Sequence, residues 1–148
     1  MSSSDKKSNK NTSTIIFEMY DEVNLAQNLA KKKHAPLGKL TIDHFPDGEL
    51  YIRFLSDVAQ KHVVLVCSLY NPNEKIIALC LAGKTAKDLG ATSVTAVIPY
   101  LAYMRQDIRF HSGEAISSKI IGSVLGRCVD KIITIDPHLH RLKSLRPV

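Results

Sequence analysis

The chain has 148 residues, 45% hydrophobic and 23% charged, with a formal net charge of +6; this fits one globular domain and excludes a fibrous or wholly disordered protein. No apolar run reaches the roughly 20 residues of a membrane helix, and the start Met1-Ser2-Ser3-Ser4-Asp5-Lys6-Lys7 lacks the apolar stretch of a secretory signal, so a cytoplasmic protein without membrane contact is expected. The positive charge sits at the ends, in Lys6, Lys7 and Lys10 and in Arg141, Lys143 and Arg146, leaving a nearly balanced body; binding to a nucleic-acid duplex needs a basic face, so small polyanions are the expected partners and nucleic acid is not.

Residues 1–13 are rich in Ser, Lys, Asn and Thr without apolar periodicity and read as a disordered leader, with a single domain over 14–148. Ile15-Ile16-Phe17 predicts a short strand. Asp21 then caps an amphipathic helix through Val23, Leu25, Ala26 and Leu29 to Lys31-Lys32-Lys33, whose charges suit a helix C-terminus. Residues 40–45 and 49–54 read as two strands around the turn Pro46-Asp47-Gly48, a hairpin-like unit. Val63 to Cys67 is a continuous apolar run, as in a parallel strand covered on both faces. Asn71 can cap the helix that follows, with Pro72 at its first position and Glu74 reaching back to the cap. Ile76, Ile77, Leu79, Cys80, Ala86 and Leu89 supply its apolar face, and Gly90 is a natural left-handed terminator. A strand over 94–98, a polar loop, a helix from Glu114 to Arg127 and a strand over 131–135 complete the pattern. Strands alternating with helices imply right-handed βαβ units: an α/β fold with a mostly parallel sheet flanked by helices.

Two features are set aside. Gly83-Lys84-Thr85 imitates the end of a phosphate-binding P-loop, but Ala78 stands where that loop needs glycine and the tripeptide falls within a helix, whose amides are already bonded. Cys67, Cys80 and Cys128 are odd in number, widely spaced and in apolar surroundings, which fits buried free thiols rather than disulfides or zinc. His34, His44 and His62 read as solvated.

Three spots carry chemistry. The loop Pro99 to Glu114 holds Arg105, Gln106, Asp107 and Arg109 directly after a strand's C-terminal end, where open α/β sheets bind ligands and where guanidinium groups suit phosphate; on residues alone a solvated crossover competes with this reading. Asp136-Pro137-His138 follows the last strand and could serve a divalent cation on a polyphosphate, a weak signal because Mg²⁺ prefers oxygen. Phe45-Pro46-Asp47-Gly48-Glu49 is strong turn chemistry, and its aromatic ring and carboxylates could also meet a purine nucleotide.

In order, Phe45-Pro-Asp47-Gly-Glu49, Val97-Ile-Pro99-Tyr100-Leu-Ala-Tyr103-Met-Arg105-Gln106-Asp107, Gly113-Glu114-Ala-Ile116-Ser117-Ser118-Lys119 and Asp136-Pro-His138 resemble the N-terminal domain of ribose-phosphate pyrophosphokinase. The likeness runs from Ile15 to about Leu145. It implies a type I phosphoribosyltransferase-like fold and transfer of the β,γ-diphosphoryl group of ATP to ribose 5-phosphate, with Mg²⁺, giving phosphoribosyl pyrophosphate and AMP. Carried over residue by residue, Phe45, Asp47 and Glu49 form an adenine-side loop reaching a neighbouring subunit's ATP, which implies a homo-oligomer. Arg105, Gln106 and Asp107 hold ATP, and His138, with Asp136 beside it, contacts the Mg-triphosphate; Arg105 and His138 are the catalytic candidates. The chain departs from the family where Ile108 replaces a frequent basic residue, Met104 an alanine and Pro137 a leucine. The family's C-terminal part, with the ribose 5-phosphate loop and a mobile basic loop, has no counterpart in these residues. The expectation is therefore the ATP-side half of a diphosphokinase, inactive alone. A non-catalytic oligomerisation or regulatory module of the synthetase, or a nucleotide binder of unrelated use, are the alternatives.

Overall fold

The computed structural model describes residues 13–20, 24–135 and 137. Their elements in chain order are β1 (Thr14–Glu18), α1 (Leu25–Lys33), β2 (Leu40–His44), β3 (Leu50–Phe54), β4 (His62–Val66), α2 (Pro72–Asp88), β5 (Ser93–Ile98), α3 (Ser117–Cys128) and β6 (Lys131–Thr134). Asp21 and Val23, expected to begin the first helix, lie outside the described residues, as does the leader up to Thr12.

Four strands form a parallel sheet in the order β1-β4-β5-β6, and β2 and β3 pair antiparallel as a separate hairpin. A parallel bridge between Ile16 and Leu37 adds a short segment on the outer side of β1. The chain thus leaves β1 through α1 toward one edge, then returns to build β4, β5 and β6 toward the other. Because parallel crossovers are right-handed, this reversal puts α1 on one face and α2 and α3 on the other. Alternate residues of β1 record the split: Ile15 and Phe17 join the larger core with Leu79, Ala82 and Leu125, while Ile16 packs with Ala26 and Ala30 of α1. The reversal also creates a switch point between β1 and β4, and the strand C-termini there open onto the edge where such sheets take ligands.

The hairpin docks against α2, and the ring of Phe54 meets that of the buried Phe17 edge-on at 4.9 Å. Gly83 lies inside α2, where a Cβ would stand 2.4 Å from the Cys128 carbonyl oxygen. The imitation P-loop is thus a helix-packing contact, with Lys84 exposed. Gly90 takes φ 92 past the end of α2, and its N–H returns to the Lys87 carbonyl at 2.9 Å.

Four local expectations are corrected. Asn71 makes no side-chain cap bond and instead adopts φ 53, ψ 69. Glu74 does not reach back to it, because its carboxylate accepts from the Tyr20 hydroxyl at 3.2 Å and lies 3.3 Å from His44 Nε2; the exposed His44 therefore has a partner, as does His62, whose Nδ1 is 2.6 Å from Ser93 Oγ. The third helix starts at Ser117, three residues later than expected, because Glu114 is held by the preceding loop. Cys67 and Cys128 are buried, whereas Cys80 is half-buried; burial and the neighbouring Cys128 thiol push its pKa up to about 12, so it stays protonated near neutral pH.

Candidate functional site

The C-terminal ends of β4 and β5 carry two loops joined through their backbones. Cys67 N–H donates to the Val97 carbonyl at 3.0 Å and Leu69 N–H to the Tyr100 carbonyl at 2.9 Å, extending the strand pairing beyond the strands themselves. From there residues 99–116 run outside regular structure, a length at which a loop needs internal support to stay ordered. Leu101, Ala102 and Met104 supply it by pointing into the core, Met104 at 1% exposure. Asp107 is buried as well and has a partner.

Arg105 is exposed between buried Met104 and half-buried Gln106. Its side chain lines a cavity of about 290 Å³ together with Tyr70, Asn71, Pro72, Tyr100 and Tyr103. Two of these residues hold left-handed backbone without being glycine, Asn71 at φ 53 and Tyr103 at φ 66. Such conformations cost of order 1–3 kcal/mol each and concentrate where function requires them. The Tyr103 hydroxyl donates to Asn73 Oδ1 and so ties the loop to the first turn of α2.

The far half of the loop is organised by Glu114. Its carboxylate accepts from Gln106 Nε2 at 3.0 Å, Phe110 N–H at 2.8 Å and His111 N–H at 3.1 Å, and lies 2.9 Å from His111 Nδ1. These bonds, the His111 ring first and then the His111 and Phe110 amides, hold its carboxyl below the usual carboxylate range. Arg109 Nε donates to the Glu114 carbonyl at 2.8 Å, so its guanidinium is anchored beside exposed Ile108. Gln106 also receives the start of α3, since Ser118 N–H donates to its carbonyl at 3.2 Å.

The structure therefore brings Arg105 and the tyrosines to one cavity and turns the side chain of Gln106 toward Glu114. Phe45, Asp47 and Glu49 stand apart, all exposed, at the tip of the β2–β3 hairpin. The Phe45 ring meets Tyr51 edge-on at 5.8 Å, and Asp47 Oδ1 accepts from Glu49 N–H at 3.1 Å. Contact between His44 and Glu74 sets this end of the hairpin beside the first turn of α2. Asp136 and His138 lie outside the described residues. Among the described residues no three His, Cys, Asp or Glu side chains converge on a metal-sized space; Mg²⁺ arriving on a triphosphate needs only one or two carboxylates and water. Sequence reasoning missed Tyr70 and Asn71, although their position just past an apolar strand was a signal, and it took Glu114 for a helix residue.

A second group gathers where the chain leaves β1 beside α2. Lys75 is buried with its ammonium 5.2 Å from the centre of the Tyr20 ring. Burial, with Glu74 beside it, pushes the Tyr20 phenol pKa up, so its proton stays on and serves the bond to Glu74. These contacts link the chain after β1 and the hairpin to α2.

Among the described residues no helix is long and apolar enough to cross a membrane. Residues 14–128 match the family model of the N-terminal domain of ribose phosphate pyrophosphokinase. The chain is 44% identical over 114 residues to the ribose-phosphate pyrophosphokinase of Saccharolobus solfataricus, covering 76% of this chain and 39% of that relative. It is 34% identical over 135 residues to the enzyme of that name from Mycoplasma genitalium, covering 90% of this chain and 41% of the relative. A crystal structure of phosphoribosylpyrophosphate synthetase from Mycobacterium smegmatis superposes with a TM-score of 0.78 at 23% identity, over 90% of this chain and 46% of that one, which supports the fold. The chain spans less than half the length of these relatives, and it belongs to the family of the N-terminal domain of ribose-phosphate pyrophosphokinase.

Proposed function

We propose that these residues form the ATP-side half of a ribose-phosphate diphosphokinase. They bind Mg-ATP at the C-terminal edge of the sheet and turn over ribose 5-phosphate only together with the remainder that the relatives possess. The observation that carries the reading is exposed Arg105 in the tyrosine-lined cavity, on the half of the loop that buried Leu101, Ala102 and Met104 hold. A side chain fixed at its base and free at its tip is preorganised for a polyphosphate, and phosphoryl-type transfer depends mainly on such positioning and charge neutralisation.

In this reading Arg105 takes phosphate oxygens, and Gln106 and Asp107 shape the loop beneath the nucleotide. Asp136 and His138 are the residues offered to the Mg-triphosphate, the carboxylate being the better match for a hard cation. Mg²⁺ neutralises phosphate charge when bound. Phe45, Asp47 and Glu49 project from the hairpin tip and serve the nucleotide of a neighbouring subunit, so the working unit is a homo-oligomer. The domain extends over 14–148, with 1–13 as a leader.

Titration calorimetry with Mg-ATP tests the placement. Arg105→Ala weakens binding by roughly 1.5–3 kcal/mol, the scale of a hydrogen bond to a charged group, and the loss shrinks as salt rises. Lys84→Ala, on the imitation P-loop, leaves binding unchanged. Intact binding in Arg105→Ala with loss in Lys84→Ala would overturn the reading. The 148-residue chain itself releases no AMP from ATP and ribose 5-phosphate; AMP release that depends on ribose 5-phosphate would show a complete active site.

A further inference from the structure

We propose that Glu74 is a positioning residue acting in trans: it sets the direction in which the β2–β3 hairpin presents Phe45, Asp47 and Glu49 to the neighbouring subunit. The inference rests on the proposed reading in which that tip completes a neighbour's nucleotide site, and it names the residue that aims the tip.

The hairpin cannot aim itself. It is a two-stranded sheet separate from the main one, and an isolated pair of strands is marginal in water. Packing against the core steadies one of its faces, through half-buried Leu40, Ile42, Leu50, Ile52 and Phe54. Toward the tip that packing ends at Leu50, which pairs with His44. Beyond the pair, residues 45–49 are all exposed, so their direction is inherited from how Leu50 and His44 are held. Leu50 is held by apolar contact, which is non-directional. His44, on the other strand, is exposed, and its Nε2 lies 3.3 Å from Glu74 Oε2.

An exposed ion pair ordinarily contributes little, because two long side chains must be ordered to make it. Here one of them is ordered in advance. Glu74 Oε1 accepts from the Tyr20 hydroxyl at 3.2 Å, which leaves Oε2 for the histidine. Tyr20 in turn packs against the core, with the Lys75 ammonium 5.2 Å from its ring centre. Glu74 also stands in the first turn of α2, where the helix dipole favours a carboxylate. One carboxylate thus bridges a fixed tyrosine to the last strand pair before the tip, where a small rotation of the hairpin is carried furthest.

The neighbouring residue works on the other half of the site. Asn73 accepts from the Tyr103 hydroxyl and so holds the Arg105 loop, whereas Glu74 takes Tyr20 and His44. Adjacent residues of α2 therefore serve two halves that, in an oligomer, belong to different nucleotides.

That division makes the test one of complementation between subunits of the 148-residue chain, read by titration calorimetry with Mg-ATP. Glu74→Ala alone weakens binding by about tenfold, the scale of a lost hydrogen bond to a charged group. Mixed at equal concentration with Arg105→Ala and allowed to exchange, it regains about a quarter of all sites, because one site of each hybrid pair has an intact Arg105 loop and a well-aimed tip. Mixed with Asp47→Ala it regains none, while the control mixture of Asp47→Ala with Arg105→Ala does recover. Tyr20→Phe, which removes the hydroxyl that orders Glu74, gives the same pattern with a smaller loss and carries the test should Glu74→Ala not fold. Recovery with Asp47→Ala places the effect of Glu74 on the Arg105 loop and overturns the proposal. Unaltered Mg-ATP affinity in Glu74→Ala overturns it as well, and so does recovery with neither partner while the control recovers, which assigns Glu74 a merely structural role. A control that fails despite verified exchange overturns the shared site and this proposal with it, and a wild-type chain that does not bind Mg-ATP overturns the nucleotide reading itself.

Discussion

The hairpin tip and the Arg105 loop are assigned to the same nucleotide chemistry, yet they are built in opposite ways. Residues 45–49 close on themselves: Phe45 N–H donates to the Glu49 carbonyl at 2.8 Å and Gly48 N–H to the Phe45 carbonyl at 2.9 Å, and every residue of the tip is exposed. The loop over 99–116 has few such backbone bonds of its own. Buried side chains hold its near half, and one carboxylate holds its far half. A turn made of backbone tolerates side-chain change, whereas a loop made of side chains does not.

Met104→Ala separates the two most sharply. Removing a core-filling side chain at 1% exposure leaves a cavity and destabilises the fold by about 2–5 kcal/mol, read from denaturant unfolding. A loss below about 0.5 kcal/mol, the scale of a surface change, would mean that the loop is not anchored by the core.

How far the sequence reveals this contrast follows from where each kind of order comes from. The strands are legible because apolar alternation and continuous apolar runs are local, and Ile15 to Phe17, Val63 to Val66 and Val94 to Ile98 fall within observed strands. The hairpin is legible because Pro46-Asp47-Gly48 is local turn chemistry. Glu114 was misread because a carboxylate ahead of an apolar helical pattern looks like the first turn of that helix; its real partners, Phe110 and His111, precede it in a loop whose path no periodicity records. Glu74 was misread for the opposite reason. The local capping pattern is present, but partners distant in sequence, Tyr20 and His44, take its oxygens. Tyr70 joins Arg105 only through the pairing of β4 with β5, which a single strand pattern does not contain.

Glu114 gives the loop over 99–116 a pH dependence. Its folded-state pKa lies below the ordinary value of 4.5, so the folded loop binds its proton less readily than the unfolded chain. The stabilisation is complete above about pH 4.5 and is lost as pH falls through the lower folded value. Amide exchange at Phe110 and His111, corrected for intrinsic pH effects, should accelerate over that acid range. In Glu114→Gln the two amides should exchange faster at neutral pH and lose the acid step. Unchanged protection in the variant would show that the loop is ordered without the carboxylate.

At the tip the expected stability effects are smaller. Gly48 sits at φ 91 with open space where a Cβ would go, so Gly48→Ala costs only the left-handed conformation, about 1 kcal/mol by thermal unfolding. A much larger loss would reveal a contact that the tip is not expected to make. Where the backbone sets the turn, stability says little about why Asp47 or Glu49 is present.

Asp47→Ala carries the smallest stability effect and is the sharpest test of what the tip is for. Its carboxylate is exposed and accepts from the Glu49 amide, so the change should cost no more than about 0.5 kcal/mol. If the tip completes a neighbour's nucleotide site, Asp47→Ala and Arg105→Ala damage different halves of a shared site. Each variant alone should bind Mg-ATP poorly. Mixed at equal concentration and allowed to exchange, they form hybrid pairs in which one site has both halves intact, so about a quarter of all sites should recover if subunits pair at random in an isologous arrangement. Calorimetry of the mixture reads that fraction directly as stoichiometry. No recovery despite verified exchange would place Asp47 and Arg105 of one subunit in the same site, or remove the tip from nucleotide binding altogether.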